Sequence, residues 1–243
     1  MTITGSFIKS AVAAGSIALM SIGIAQTAAA EELDTLRDNG VIRIAMTGAY
    51  PPFNFVSESN EVVGFDPAVG SEIAKRMGLE VEIVTTAWDG IIGGLLANKY
   101  DAIVGSMSIT EERKQVVDFV GPYYSTMRAI FTMSGSEVTS VSQLGDVTIG
   151  VTLGETHEQW AREQGYKVKT YKGLPELLLE LENGRVDAII GDSIAVILAA
   201  KASERDIAQI QDLVTESVGA GIAIRKGNPK LHAAMQESLE AMQ

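Results

Sequence analysis

Residues 98–106, NKYDAIVGS, return in altered form at 184–192 as GRVDAIIGD. Each copy follows an apolar helical pattern, IIGGLLANK at 91–99 and LPELLLELENG at 174–184, and each ends on a small or acidic residue. A helix leading into a short β-branched run is an αβ unit, so two copies predict two lobes. The starts of the two halves match as well. VIRIAMTGAY (41–50) and VTIGVTLGET (147–156) both read as strands that break at a glycine, Gly48 and Gly154. Matching order at both elements points to a duplicated or symmetric architecture. Parallel α/β sheets bind ligands beyond the carboxyl ends of their strands. Those ends carry Thr47, Tyr50 and Ser106 in one half and Glu155, Thr156 and Asp192 in the other.

Outward from these units, FNFVSESNEVVGF (53–65) reads as a hairpin turning at Ser59-Asn60. Asp66-Pro67 then reads as an N-cap followed by proline at N1, opening a helix over 68–78 that Gly78 closes. Another helix is expected to start near Ser140, through SVSQLG. RAIFTM (128–133) and GAGIAIR (219–225) are extended apolar stretches where the chain would cross between lobes, and they are the expected hinge strands. The resulting division is a leader over 1–30, a first lobe over 31–128, a second lobe with hinge over 129–218, and a return to the first lobe over 219–243.

The leader reading rests on Lys9, the apolar run Ala11 to Ile24, and Ala28-Ala29-Ala30 before Glu31, the pattern of a secretory signal cleaved after Ala30. The run is interrupted by Gly15, Ser16, Ser21 and Gly23 and is short for a bilayer span of roughly 20 apolar residues. With no cysteine, disulfides, thiolate metal sites and a lipid anchor on a thiol are excluded. An exported, unanchored chain is expected in the periplasm. Without the leader the net charge is about −13, which disfavours nucleic-acid binding. His157 and His232 lie in no metal-ligand spacing, and no nucleophile elbow or phosphate loop occurs, so no metal, cofactor or catalytic residue is expected.

In GSMSITEERKQVVDF (105–119), Arg113 falls in the first turn of a predicted helix. A cation there opposes the helix dipole by up to about 1 kcal/mol, so it either points into water or meets an anion. Phe55, Phe119, Tyr123 and Tyr124 read as core aromatics.

Six ordered stretches, GAYPPFNF, VVGFD, the run from Ala87 to Tyr124, IGVTLGETHE, GRVDAIIGD and AIRKGN, together resemble the polar amino-acid-binding periplasmic proteins of ATP-driven importers, solute-binding protein family 3. The resemblance covers nearly all of the chain beyond the leader. It implies an α/β, periplasmic-binding-protein-like (type II) fold in which two α/β lobes, joined by two hinge strands, close on one small solute. It further implies docking on the membrane permease of an ABC importer; a monomer is expected. Carried over position by position, it gives Arg113 the ligand α-carboxylate, with help from Ser108 and from the amide and hydroxyl of Thr156. Asp192, with Ser106 nearby, takes the α-ammonium; Tyr50 and Trp88 flank the side chain, and Phe53 stands at the pocket edge. An arginine fork matches a carboxylate bidentately, and a helix start at Thr156 welcomes an anion.

Three departures qualify the pattern. Thr47 stands where cation-binding relatives carry an acid, so a lysine, arginine or histidine ligand would lose one counter-charge. Glu155 replaces a small or apolar residue and either restores that charge from the other lobe or faces solvent. The chain stops at LEAMQ, before the short helical segment with which the family closes the first lobe, so a missing C-terminal segment is expected. The expected function is capture of a polar amino acid, basic ones included, or a related zwitterion. The alternatives are a secreted dehydratase on the same fold, with Glu155 as general acid, and a ligand-sensing module.

Overall fold

The computed structural model describes residues 1–2, 32–213 and 215–242, so the leader reading and the Ala30 cleavage site lie outside the described residues. Among the described residues no helix is long and apolar enough to cross a membrane.

The chain begins with α1 (Glu32–Asn39) and β1 (Val41–Met46), then a small antiparallel sheet of β2 (Ala49–Tyr50), β3 (Asn54–Val56) and β4 (Val62–Val63). Next come α2 (Phe65–Arg76), β5 (Glu80–Thr85), a 3-10 turn over Trp88–Gly90, α3 (Ile91–Leu96), β6 (Ala102–Ser108) and α4 (Glu111–Lys114). A long strand, β7 (Val117–Met133), leads out of this part. Beyond it lie β8 (Thr148–Thr152), α5 (Thr156–Glu163), β9 (Lys167–Tyr171), α6 (Leu174–Glu182), β10 (Ala188–Asp192), α7 (Ser193–Ala202) and β11 (Ile207–Gln209). The chain returns through β12 (Ser217–Arg225) to α8 (Pro229–Glu240).

Strand order is β5-β1-β6-β12-β7 in the first half and β7-β10-β8-β9 in the second, with β11 also on β7. β1 is parallel to β5 and β6, and β8 is parallel to β9 and β10. β7 belongs to both halves. Its residues through Met127 pair with β12, where Met127 faces Ser217, and from Arg128 onward it pairs with β10, where Arg128 faces Asp192. RAIFTM therefore lies inside the second sheet and GAGIAIR largely inside the first, paired with β6. The crossing itself is the short paired stretch Ser125–Met127 with Ser217–Gly219.

Strand alternation explains the four cores. Ile42, Ile44 and Met46 point to one side of the first sheet, beneath α1, α2 and α8, while Ala45 points to the other, with Ile91, Leu95 and Tyr100. In the second sheet Ile189 packs with Leu174, Leu177 and Phe131, whereas Ile149, Val151 and Ile190 face Leu144 and Ala161. Burial of both faces is what a parallel sheet with helical crossovers requires.

Two local expectations need correction. α2 starts at Phe65 with Gly64 as its N-cap, two residues before the expected cap, and Asp66 sits fully buried inside the first turn. Its carboxylate is occupied by side chains from other elements, so it does not cap its own helix. The stretch after Ser140 is a 3-10 run, Val141–Asp146, held at its start by Gln143 Oε1 accepting from the Ser140 backbone N–H at 3.0 Å. As expected, Gly78 follows α2 in the left-handed region (φ +74°), and its N–H donates to Lys75 O.

Candidate functional site

The carboxyl ends of β1, β6, β8 and β10 converge on one pocket between the two halves. Thr47, Tyr50, Trp88, Ser106, Ser108, Arg113, Glu155, Thr156 and Asp192 all line it. The halves touch around it. Trp88 Nε1 donates to Gly154 O at 3.3 Å, and the Tyr50 hydroxyl donates to Asp192 Oδ2 at 2.5 Å. Gly154 has φ +78°, and a Cβ there would come within 3.0 Å of Asp89 Cα; one at Gly173 would meet Ala49 O at 2.8 Å. Only glycine permits both close approaches.

Arg113 is placed by the start of α4. Thr110 caps that helix, its hydroxyl accepting from the Arg113 backbone N–H, and the guanidinium folds back so that Nη1 donates to Ser108 O at 3.0 Å. Its charged end stands 5.5 Å from the Trp88 ring centroid, in cation–π range. Burial pushes its pKa down, partly countered by Glu155, Glu112 and Asp192. Among the described residues it forms no ion pair, so a half-buried guanidinium faces the pocket with donors to spare.

Asp192 faces it from the other half, ending β10 with only 8% of its surface exposed. Burial works to raise its pKa, but the His157 and Tyr50 hydrogen bonds and the Arg128 charge prevail and hold it below the ordinary aspartate value. His157 Nε2 lies 3.5 Å from Asp192 Oδ1. Arg128 Nε donates to His157 Nδ1 at 3.3 Å, which makes Nδ1 an acceptor and directs the ring's other nitrogen, with its proton, to the carboxylate. Arg128 is itself set over Trp160, 4.9 Å from the ring centroid.

Glu155 is the N-cap residue of α5 but makes no capping bond with its side chain. Burial pushes its pKa up to about 7, with Asp192 adding to the rise and His157, Arg113 and Thr152 opposing it. An acid whose folded pKa exceeds its unfolded value binds more protons when folded, so its contribution to stability falls as pH rises between about 4.5 and about 7. The melting temperature of the ligand-free protein is therefore expected to decline across that window relative to Glu155→Gln, in which this slope disappears. Parallel melting curves for the two proteins from pH 4.5 to 7.5 would contradict the assignment.

Phe53 is not where the resemblance set it. It is 7% exposed and lies outside the pocket, stacked between Tyr124 (4.8 Å) and Tyr50 (5.8 Å) in the apolar cluster that includes Phe131 and Leu174. The hairpin carries its ring under Tyr50, so it braces that tyrosine and touches no pocket space. The Ser106 hydroxyl is likewise committed elsewhere, donating to both Asp66 oxygens at 2.9 and 3.1 Å. Thr47 lines the pocket while its hydroxyl donates to Asn54 Oδ1.

Sequence reasoning missed His157, considered only as a metal ligand, along with Arg128 and Lys172, which also surround the site. Arg128 was legible only through the β7–β10 register, which sets it opposite Asp192.

The family described as bacterial extracellular solute-binding proteins, family 3, matches residues 42–243. The L-cystine-binding protein TcyJ of Escherichia coli (strain K12) is 30% identical over 215 residues, covering 87% of this chain and 80% of its own length. The arginine-bound form of ArgBP from T. maritima superposes with a TM-score of 0.81 at 32% identity, covering 86% of this chain and all of that one. AncCDT-1, an ancestral amino acid-binding protein and precursor of cyclohexadienyl dehydratase, superposes with a TM-score of 0.81 at 33% identity, covering 86% of this chain and 92% of that one.

Proposed function

Because the chain belongs to the bacterial extracellular solute-binding proteins, family 3, we infer that it is the receptor of an ABC importer and captures an amino acid for the membrane permease. In this reading the protein is exported by the 1–30 leader, cleaved after Ala30, works in the periplasm as a monomer, and binds without turnover. Its ligand is a polar or basic L-α-amino acid or a related zwitterion. The relatives support that class, being named for cystine and arginine. The observation that carries the site assignment is Arg113: a half-buried guanidinium without an ion pair among the described residues, aimed at a pocket whose far wall is Asp192.

The ligand carboxylate takes the Arg113 fork, with the N-terminus of α5 at Thr156 and the Ser108 strand end beside it. Its ammonium takes Asp192, displacing the Tyr50 hydroxyl that occupies Oδ2. Because Arg113 and Asp192 stand on different halves, both poles are held only when residues 31–128 and 219–243 close onto 129–218 about the Ser125–Met127 crossing. The side chain lies between Tyr50 and Trp88, near Thr47 and Glu155.

A thermal-shift panel of L-amino acids tests this, since a ligand at a hundred times its dissociation constant stabilises by about 2.7 kcal/mol. At least one basic or polar amino acid is expected to raise the melting temperature. Its N-acetyl and carboxamide derivatives, each lacking one charged pole, are expected to have no effect. Equal shifts by the blocked derivatives, or none by any free amino acid, would refute the reading.

A further inference from the structure

Asp66 is fully buried and forms no ion pair among the described residues, yet three neutral side chains converge on it. Asn54 Nδ2 donates to Oδ2 at 2.6 Å, the Tyr123 hydroxyl to Oδ1 at 2.7 Å, and the Ser106 hydroxyl to both oxygens. Every partner donates, the arrangement that suits a carboxylate, which can only accept; burial pushes its pKa up, and the Tyr123, Asn54 and Ser106 hydrogen bonds oppose that rise. Burying such a charge is costly unless its hydrogen bonds are complete.

What these partners hold is the wall of the pocket. Asn54, anchored through its amide nitrogen, turns Oδ1 toward the loop after β1, where it accepts from the Thr47 hydroxyl and from the Gly48 N–H, both at 2.9 Å. Tyr123, anchored through its proton, accepts from the Ser106 N–H at 2.8 Å. Ser106 itself has φ +59°, a left-handed conformation that is unfavourable for a non-glycine residue and needs its surroundings to enforce it. Thr47 and Ser106 both line the pocket.

We propose that Asp66 is the positioning residue of the first lobe's half of the ligand site, fixing the Thr47–Gly48 loop through Asn54 and the Ser106 strand end through its own hydroxyl and Tyr123. This rests on the reading of the pocket as an amino-acid site. Asp66 does not line the pocket; it acts through the two segments that do. A carboxylate suits the task because it accepts from several directions at once, whereas an amide in its place must turn one donor toward Asn54, Ser106 or Tyr123.

Hydrogen exchange without ligand tests the positioning directly. In Asp66→Asn the Gly48 and Ser106 amides are expected to exchange at least tenfold faster, while Ile44 and Ile149 in the sheets keep their protection. Unchanged Gly48 and Ser106, or uniform acceleration throughout the chain, would overturn the proposal. If Asp66→Asn does not fold, Tyr123→Phe is expected to speed the Ser106 amide and leave Gly48 alone; an unchanged Ser106 overturns the proposal. Calorimetry with L-arginine then reads the consequence, an affinity at least tenfold lower in Asp66→Asn than in the unmodified chain. Full affinity with both segments loosened would break the link to binding. Should the unmodified chain bind no amino acid at all, the functional reading fails, while the positioning role is still judged by exchange.

Discussion

Replacing Arg113 with alanine is expected to weaken amino-acid binding by about 2–5 kcal/mol, the range for removing one side of a buried charged pair. By calorimetry this is a loss of roughly 30-fold to several thousand-fold. The size follows from what the substitution leaves behind. Without the guanidinium, the ligand carboxylate enters a half-buried space whose remaining donors are the Thr156 end of α5 and small hydroxyls. Lysine is no substitute, because it lacks the planar fork and would lose either the ligand or the Ser108 carbonyl that now orients Nη1. Melting in the absence of ligand should barely change, since Arg113 has no ion pair to lose among the described residues. Affinity within threefold of the unmodified protein would remove Arg113 from the site.

Asp192→Asn is expected to cost a similar amount at the opposite pole. The amide keeps the volume at the end of β10, so the sheet pairing of residue 192 with Arg128 should persist. It removes the charge that Tyr50, His157 and Arg128 surround and that holds the carboxyl below its ordinary pKa. A ligand ammonium then meets a neutral carbonyl in a buried setting. Here the double-mutant cycle is informative: Arg113 and Asp192 bind different ends of one ligand, so their losses should fall well short of additive once either pole is free. Strict additivity would mean that the two contacts contribute independently to holding the ligand. Binding by Asp192→Asn at full strength would place the ammonium elsewhere.

The sequence made the strand-end residues legible, for a physical reason. Parallel αβ units deliver their carboxyl ends to one edge, so Thr47, Ser106, Glu155 and Asp192 could be brought together by counting strands, without any side-chain geometry. Arg113 announced itself by being a cation in the wrong place on its helix. What periodicity could not carry was tertiary register. Arg128 read as a hinge residue and became a neighbour of Asp192 only through β7–β10 pairing; His157, one residue past Thr156, became the link between them. Phe53 lay in a motif rich in pocket residues, but hairpin alternation and the apolar seam with Phe131 drew its ring inward. Asp66 misled most. Asp-Pro at a helix start is a cap by local rules, and only the approach of Asn54, Ser106 and Tyr123 from other elements gives the carboxylate its different task.

The dipolar grip would be seen most directly in a crystal structure of the protein with the tightest amino acid from the thermal-shift panel. The ligand carboxylate is predicted within about 2.7–3.2 Å of two Arg113 nitrogens, and the ammonium at the same distance from Asp192 with the Tyr50 hydroxyl withdrawn. A ligand whose carboxylate lies on Lys172 or Arg128, with the Arg113 guanidinium turned to solvent, would contradict the account.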